Sequence, residues 1–105
     1  MRFHPAALLP VVAIVAHAQS VDRSLALEFD EVAAKAAAVI GNVNAMEKRS
    51  LEMGHALNPA LAAQRSLVQS SIARAEEALR AGDEAALRDL LARTRGNIDK
   101  LARMI

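Results

Sequence analysis

The sequence predicts an all-α fold, an antiparallel three-helix bundle or coiled-coil-like helical hairpin with a long first helix, preceded by a signal peptide. The first observation is that apolar or small residues recur in steps of four and three along Leu25–Met53, which aligns them on one side of a helix. The second is that two later segments repeat this spacing. The third is that helix-stop and helix-start residues separate the segments.

The first predicted helix spans residues 21–53, about 50 Å at the α-helical rise per residue. Ser20 is the expected N-cap, and Gly54 is expected to end the helix in a left-handed conformation. The spacing predicts a buried seam of nine positions, the two methionines included: Leu25, Phe29, Val32, Ala36, Val39, Val43, Met46, Ser50 and Met53.

The middle of this helix is nearly free of charge, since Lys35 is the only charged residue between Val32 and Met46. Small and apolar residues also lie beside the seam there: Ala33, Ala34, Ala37, Ala38, Ile40 and Ala45. Such a helix needs neighbours on more than one side. Two hypotheses follow, a central bundle helix with close-packed alanines or a partner-binding surface, and the first is favoured because two later helices are available to cover it.

The second predicted helix spans residues 59–81 and begins at Asn58-Pro59, an N-cap followed by a proline in the first helical position. Its apolar face consists of Leu61, Val68, Ile72, Ala75 and Leu79, and Gln64 is expected mostly off this face. Gly82 is expected to close the helix and Asp83 to cap the next one.

The third predicted helix spans residues 84–105. Its stripe steps by four and three through Leu87, Leu91, Thr94, Ile98, Leu101 and Ile105. Gly96-Asn97 interrupts the helix formers, and a kink, a close contact and simple tolerance all remain open there. Five acid-first pairs four residues apart predict salt-paired outer faces: Glu31–Lys35, Glu76–Arg80, Glu84–Arg88, Asp89–Arg93 and Asp99–Arg103.

Residues 1–18 are interpreted as a signal peptide, which leaves residues 19–105 as the helical domain. Arg2 precedes an apolar run at Ala6–Ala16, and Ala16-His17-Ala18 places small residues before a cleavage point at Gln19. The alternative, a retained membrane anchor, is disfavoured because the run is shorter than the about 20 residues that span a bilayer. The expected location is therefore periplasmic or secreted.

The composition disfavours several classes of function. Removal of Arg2 lowers the 13 basic residues to 12, which balances the 12 acidic residues, so no general attraction to nucleic acid is expected. There is no cysteine, and His55 is the one histidine beyond residue 18. We expect no enzyme, no cofactor, no metal site and no small-molecule substrate, and membrane contact only through the signal peptide.

The length of the first helix suggests a binding function. Two shorter helices should leave part of it uncovered, and uncovered apolar surface marks association sites. We place this overhang near the N-terminal end, at Leu25, Leu27, Phe29 and Val32. The first hypothesis is an exported binding, scaffold or self-associating module of the cell envelope, with a protein partner or a second copy on that face.

The alternative is a periplasmic chaperone-like or stress-related protein that holds clients on an apolar face. The start of the second helix, Leu57-Asn58-Pro59 to Gln64, resembles over one turn the Leu-Thr-Pro-x-Gln openings of periplasmic metal-stress chaperones. It differs from them in having Asn58 for threonine and in the spacing to Gln64.

Overall fold

The computed structural model describes residues 21–105, which form three helices and contain no strand. They are α1 (Arg23–Glu52), α2 (Pro59–Ala81) and α3 (Glu84–Met104). The all-helical prediction is confirmed, and each boundary lies within two residues of its predicted place. The predicted signal peptide, residues 1–18, lies outside the described range.

The predicted helix ends follow from local chemistry. The Asn58 side chain accepts a hydrogen bond from the Ala60 amide at 2.8 Å, with proline in the first turn of α2. Gly82 has φ +71° and ends α2, a conformation that glycine adopts without steric strain. The Asp83 side chain then accepts from the Ala86 amide at 3.1 Å and caps α3.

The start and end of α1 differ slightly from the prediction. Asp22 is its N-cap, in place of the expected Ser20. At the other end Gly54 has φ +81°, which confirms the left-handed residue expected there. The chain then reaches α2 through a short connection in which Leu57 is buried.

The core lies between the three helices and uses the predicted seams. Leu87, Leu91 and Leu101 of α3 are fully buried, and the buried Thr94 and Ile98 complete the stripe that α3 presents to the other helices. The remaining core residues are Leu25, Val32, Ala36, Val43, Leu57, Leu61, Val68, Ala75, Ala78 and Ile98. Burial of these apolar side chains is the main favourable contribution to the free energy of folding.

The helices run up, down and up. The Asp22 amide donates to the Glu84 carboxylate at 2.8 Å, so the N-terminal ends of α1 and α3 lie together. Further along both helices, Arg95 forms an ion pair with Glu28 at 2.7 Å. Helix α2 returns in the opposite direction between these two upward helices.

The expected overhang at the N-terminal end of α1 is wrong. Leu25 and Val32 are only 2% and 1% exposed, because the tight turn at Gly82 brings α3 back to the beginning of α1. Met53, predicted to lie in the core, is 71% exposed, since α1 has ended at Glu52 and the chain turns away there. Ile105 is also half exposed at the end of the chain.

Candidate functional site

The four residues predicted to bind a partner do not form one surface. Leu25 and Val32 belong to the core, and Phe29 packs partly buried against it. Leu27 alone points outward, with 59% of its surface exposed. A partner cannot reach Leu25 or Val32 while the bundle is closed, so the uncovered surface of α1 must be sought on its other side.

That other side is the outer face of α1. An α-helix turns about 100° per residue, so a residue nine positions from a buried one lies on the opposite side of the helix. The outer face has a centre of small residues between charged ends. Its members are all exposed: Arg23, Leu27, Asp30, Glu31, Ala34, Ala38, Gly41, Ala45, Lys48, Arg49 and Glu52.

The small and apolar residues beside the predicted seam therefore divide between the two hypotheses. Ala33 and Ile40 are partly buried toward the other helices, as in a central bundle helix. Ala34, Ala37, Ala38 and Ala45 are exposed, because α2 and α3 both lie on the opposite side of α1. The two later helices thus leave uncovered the surface that the favoured hypothesis expected them to cover.

Gly41 in the centre of the outer face has no explanation within the bundle. A Cβ atom placed on Gly41 would meet no atom within 4 Å. Glycine inside a helix is about 1 kcal/mol less favourable than alanine. Exposed alanines follow from helix propensity alone, but this glycine does not. Gly96 of α3 has equally open space around it, and Gly41 differs from it in lying at the centre of an uncovered face.

Charge is distributed unequally along the outer face. Asp30 and Glu31 lie toward its N-terminal end and Lys48 and Arg49 toward its C-terminal end, with Arg23 and Glu52 in the first and last turns outside them. Within residues 21–105 none of these six side chains forms an ion pair, so the predicted Glu31–Lys35 pair is absent. The helix dipole favours Arg49 in the last turn but does not reach Asp30 in the third turn.

The other predicted surface pairs behave differently. Glu76–Arg80, Glu84–Arg88 and Asp89–Arg93 form at 3.5, 3.6 and 3.1 Å on α2 and α3. The described residues include no Asp99–Arg103 ion pair. Local pairs thus engage six charged side chains on α2 and α3. Five others are exposed and form no ion pair within residues 21–105: Arg74, Glu77, Asp99, Lys100 and Arg103.

Two ion pairs that the sequence did not predict join α1 to its neighbours. Arg95 of α3 contacts Glu28 at 2.7 Å, and Arg65 of α2 contacts Glu47 at 2.9 Å. Arg65 also donates to the Asn44 side chain at 2.8 Å. The hydrogen bonds from Arg65 hold the pKa of Glu47 below its ordinary value and raise the pKa of Arg65. These pairs hold the sides of α1 that face α2 and α3.

A buried polar contact joins α2 to α3, and sequence reasoning missed its first member. Gln64 is only 4% exposed, and its side-chain amide donates to the Asn97 carbonyl at 3.0 Å. The Asn97 side chain in turn donates to the Ser71 hydroxyl at 3.1 Å. Asn97 in the Gly96-Asn97 interruption is therefore an interhelical contact, whereas Gly96 has open space around it.

This polar contact is closed to ligands. Among the described residues, every buried side-chain nitrogen or oxygen has a hydrogen-bond partner. Thr94, fully buried at the centre of α3, donates to the Leu90 carbonyl one turn earlier. The interior therefore offers no unpaired polar group that a substrate or cofactor would complete.

The titratable residues do not assemble into a reactive centre in the described part of the chain. His55 is exposed in the connection between α1 and α2. Residues 21–105 contain no group of three or more histidine or carboxylate side chains arranged to hold a metal ion. None of the three helices has an apolar stretch that would cross a lipid bilayer.

Comparison of the chain with protein-family models, with curated proteins and with solved structures gives no match. The outer face of α1 is the candidate functional site on physical grounds alone. Its signal in the sequence was the charge-free, alanine-rich segment around Gly41, for which a partner-binding surface was the less favoured of the two hypotheses.

Proposed function

We propose that this protein is a non-catalytic binding module that contacts a helix of its partner through the outer face of α1. The observation that supports the proposal is the contrast between the two sides of this helix. One side is buried and joined to α2 and α3 by ion pairs. The other side presents small residues between opposite charges and has no neighbour among the described residues.

Small side chains suit a helix as a partner. Helix axes approach to about 8 Å when the residues between them are small. Alanine and glycine also lose no side-chain rotamer freedom on burial, so the entropic cost of the contact is low. The matching partner helix would carry small residues at its centre and charges of the opposite sign facing Asp30, Glu31, Lys48 and Arg49.

We also propose that the protein has no catalytic activity. General acid–base and nucleophilic chemistry require titratable groups gathered in an enclosed site. In the described range the buried polar groups are already paired with one another, and His55 lies in solvent. A binding role uses the surface that these residues leave uncovered.

Export to the cell envelope completes the proposal. Arg2, the apolar run at Ala6–Ala16 and the small residues of Ala16-His17-Ala18 support a cleaved leader. The module would then act in the periplasm or outside the cell, with membrane contact limited to transport. Removal of Arg2 leaves a balanced net charge, which favours a specific protein contact over binding through a broadly charged surface.

The chaperone hypothesis has weaker support. A client cradle requires large apolar side chains gathered on one surface. The large exposed ones in the described range are instead dispersed over all three helices and their ends: Leu27, Leu51, Met53, Leu67 and Ile105. A face of alanine and glycine offers little apolar area to an unfolded client.

Crosslinking in the native cell tests the proposal. A photo-crosslinking amino acid is placed at Ala38 on the outer face, and in a control at Ala73, which is exposed on α2. We expect a discrete crosslinked product from Ala38 and none from Ala73. Absence of a product from Ala38, or equal products from both positions, contradicts a binding role for the outer face.

A further inference from the structure

We propose that the helix received by the outer face of α1 is the same face of a second copy, packed antiparallel about a two-fold axis between Val39 and Ile40. This inference rests on the proposed binding role of that face and specifies its partner. A two-fold interface must be complementary to itself. The outer face meets this requirement in its small residues, in its charges and in Gly41.

The small residues are symmetric about the proposed axis. Antiparallel pairing about a point between Val39 and Ile40 places Ala34 opposite Ala45 and Ala38 opposite Gly41. The contacts along the centre line between Ala34 and Ala45 are then small against small, in both halves of the interface, with the exposed Asn42 on one flank. This arrangement permits the closest approach of the two helices at the axis itself.

The charges show the same symmetry. Asp30 and Lys48 are eighteen residues apart, and so are Glu31 and Arg49. Since eighteen residues make about five turns and about 27 Å of helix, each acid lies on the same flank of the helix as its base. Antiparallel pairing brings each acid beside the base of the second copy on that flank, which gives four ion pairs in total.

A parallel arrangement of the two copies is disfavoured by the same charges. It would place Asp30 and Glu31 against themselves, and Lys48 and Arg49 against themselves. Like charges facing each other across an interface weaken binding. The outer face therefore specifies orientation as well as contact, in the way that flanking charges do in coiled coils.

This arrangement would explain why a glycine occupies position 41. The bundle leaves open space at Gly41, yet the residue lies within one turn of the two-fold axis. A glycine there removes the side chain where the two backbones come closest. A single helix pair buries less than the about 1,200 Å² of ordinary stable interfaces, so the association is expected to be weak and concentration-dependent.

Charge reversal on the exported, purified protein tests the pairing. The variant D30K/E31K places like charges opposite each other at both ends of the interface, and K48E/R49E does the same. Each variant should raise the dimer dissociation constant roughly 100-fold, because four exposed ion pairs between the two copies change from attraction to repulsion. Sedimentation equilibrium over a concentration series measures the constant, and circular dichroism verifies that the helices are retained.

The loss of the dimer in each variant alone tests the antiparallel orientation, and mixing the two variants tests whether charge complementarity restores it. In the mixed antiparallel pair every acid again faces a base, so a one-to-one mixture should dimerise with about the wild-type affinity although neither variant does so alone. The control E76K/E77K makes the same change in net charge as D30K/E31K on exposed positions of α2 and should dimerise as the wild type does.

A steric substitution gives an independent readout. Gly41→Leu should weaken the dimer at least tenfold while raising the helix content, since leucine is the better helix former. Gly96→Leu, at the other open helical glycine, should leave the dimer unchanged.

Three results overturn the antiparallel pairing: a wild-type monomer at every concentration, charge variants that dimerise as the wild type does, or a mixture that stays monomeric. If one of these occurs while Ala38 crosslinks to a different protein in the cell, the self-pairing is wrong and the binding role stands. If Ala38 gives no crosslink either, both proposals fail.

Discussion

Gln64 allows a quantitative test of how α2 is held against α3. Its side chain is almost fully enclosed, and its amide nitrogen donates to the Asn97 carbonyl at 3.0 Å. Asn97 lies within α3, where its carbonyl also accepts the backbone hydrogen bond of a helix. Substitutions at Gln64 therefore change the donor while the acceptor keeps a partner.

Gln64→Leu should leave the free energy of unfolding unchanged or raise it by up to about 1 kcal/mol. The lost hydrogen bond has a net value of about 1 kcal/mol. Leucine has similar size and buries more apolar surface, which offsets that loss. The Asn97 carbonyl is not left unpaired, so no desolvation penalty is added.

Gln64→Glu should lower the free energy of unfolding by about 3–5 kcal/mol at neutral pH. The introduced carboxylate cannot donate to the Asn97 carbonyl, and it is a buried charge without a counter-ion. Burial raises the pKa of such a carboxyl group above its value of about 4.3 in the unfolded chain. The deficit should therefore be small below about pH 4, where both states are protonated, and should grow as the pH rises through the folded pKa.

Urea unfolding followed by far-UV circular dichroism measures both variants at acid and at neutral pH. Gln69→Glu is the matched control, because Gln69 is exposed on the same helix, and it should change the stability by less than about 0.5 kcal/mol. A Gln64→Glu variant as stable as the control at neutral pH would refute the burial of this residue between α2 and α3. A deficit that is equal at both pH values would refute the electrostatic explanation.

Three further predictions concern the core, an ion pair and the leader. Leu91→Ala should lower the free energy of unfolding by about 2–5 kcal/mol in the same urea assay, since Leu91 is fully buried. The half-exposed Leu67 is its control, and an equal loss for Leu67→Ala would contradict the described core. Because the folded pKa of Glu47 is depressed, its contribution to stability is present above about pH 4.3 and is lost as the pH falls through the folded value. Glu47→Gln should therefore flatten the acid side of the stability profile, whereas Glu52→Gln should keep the wild-type slope. N-terminal sequencing of the exported protein should begin at Gln19, and an N-terminal Met1 would show that the leader is retained.

The helices were predictable because their signals are local. Asn58-Pro59, Gly82 and Asp83 each end or begin a helix through contacts within four residues. The stripe of α3 was predictable for the same reason, since spacing alone aligns its leucines. Its burial was also predictable, because α3 has no second apolar stripe that could face the other helices instead.

The binding surface was predictable only in part. The charge-free alanine segment around Gly41 indicated that α1 has apolar surface on more than one side. Spacing placed Leu25 and Val32 on the seam and Leu27 off it, but it could not decide whether another helix extends far enough to cover that end of α1. The turn at Gly82 decides it, by returning α3 to the N-terminal end of α1.

The sequence by itself determined that residues 21–105 form three helices, where each helix ends, and which stripe of each helix is apolar. The tertiary structure decided that the N-terminal end of the α1 seam, at Leu25 and Val32, is covered, that Gln64 is enclosed against Asn97, and that Met53 lies in solvent. The physical reason is the sequence separation over which each property is determined. Helix formation depends on neighbours within a few residues, whereas burial depends on where distant helices come to lie around α1.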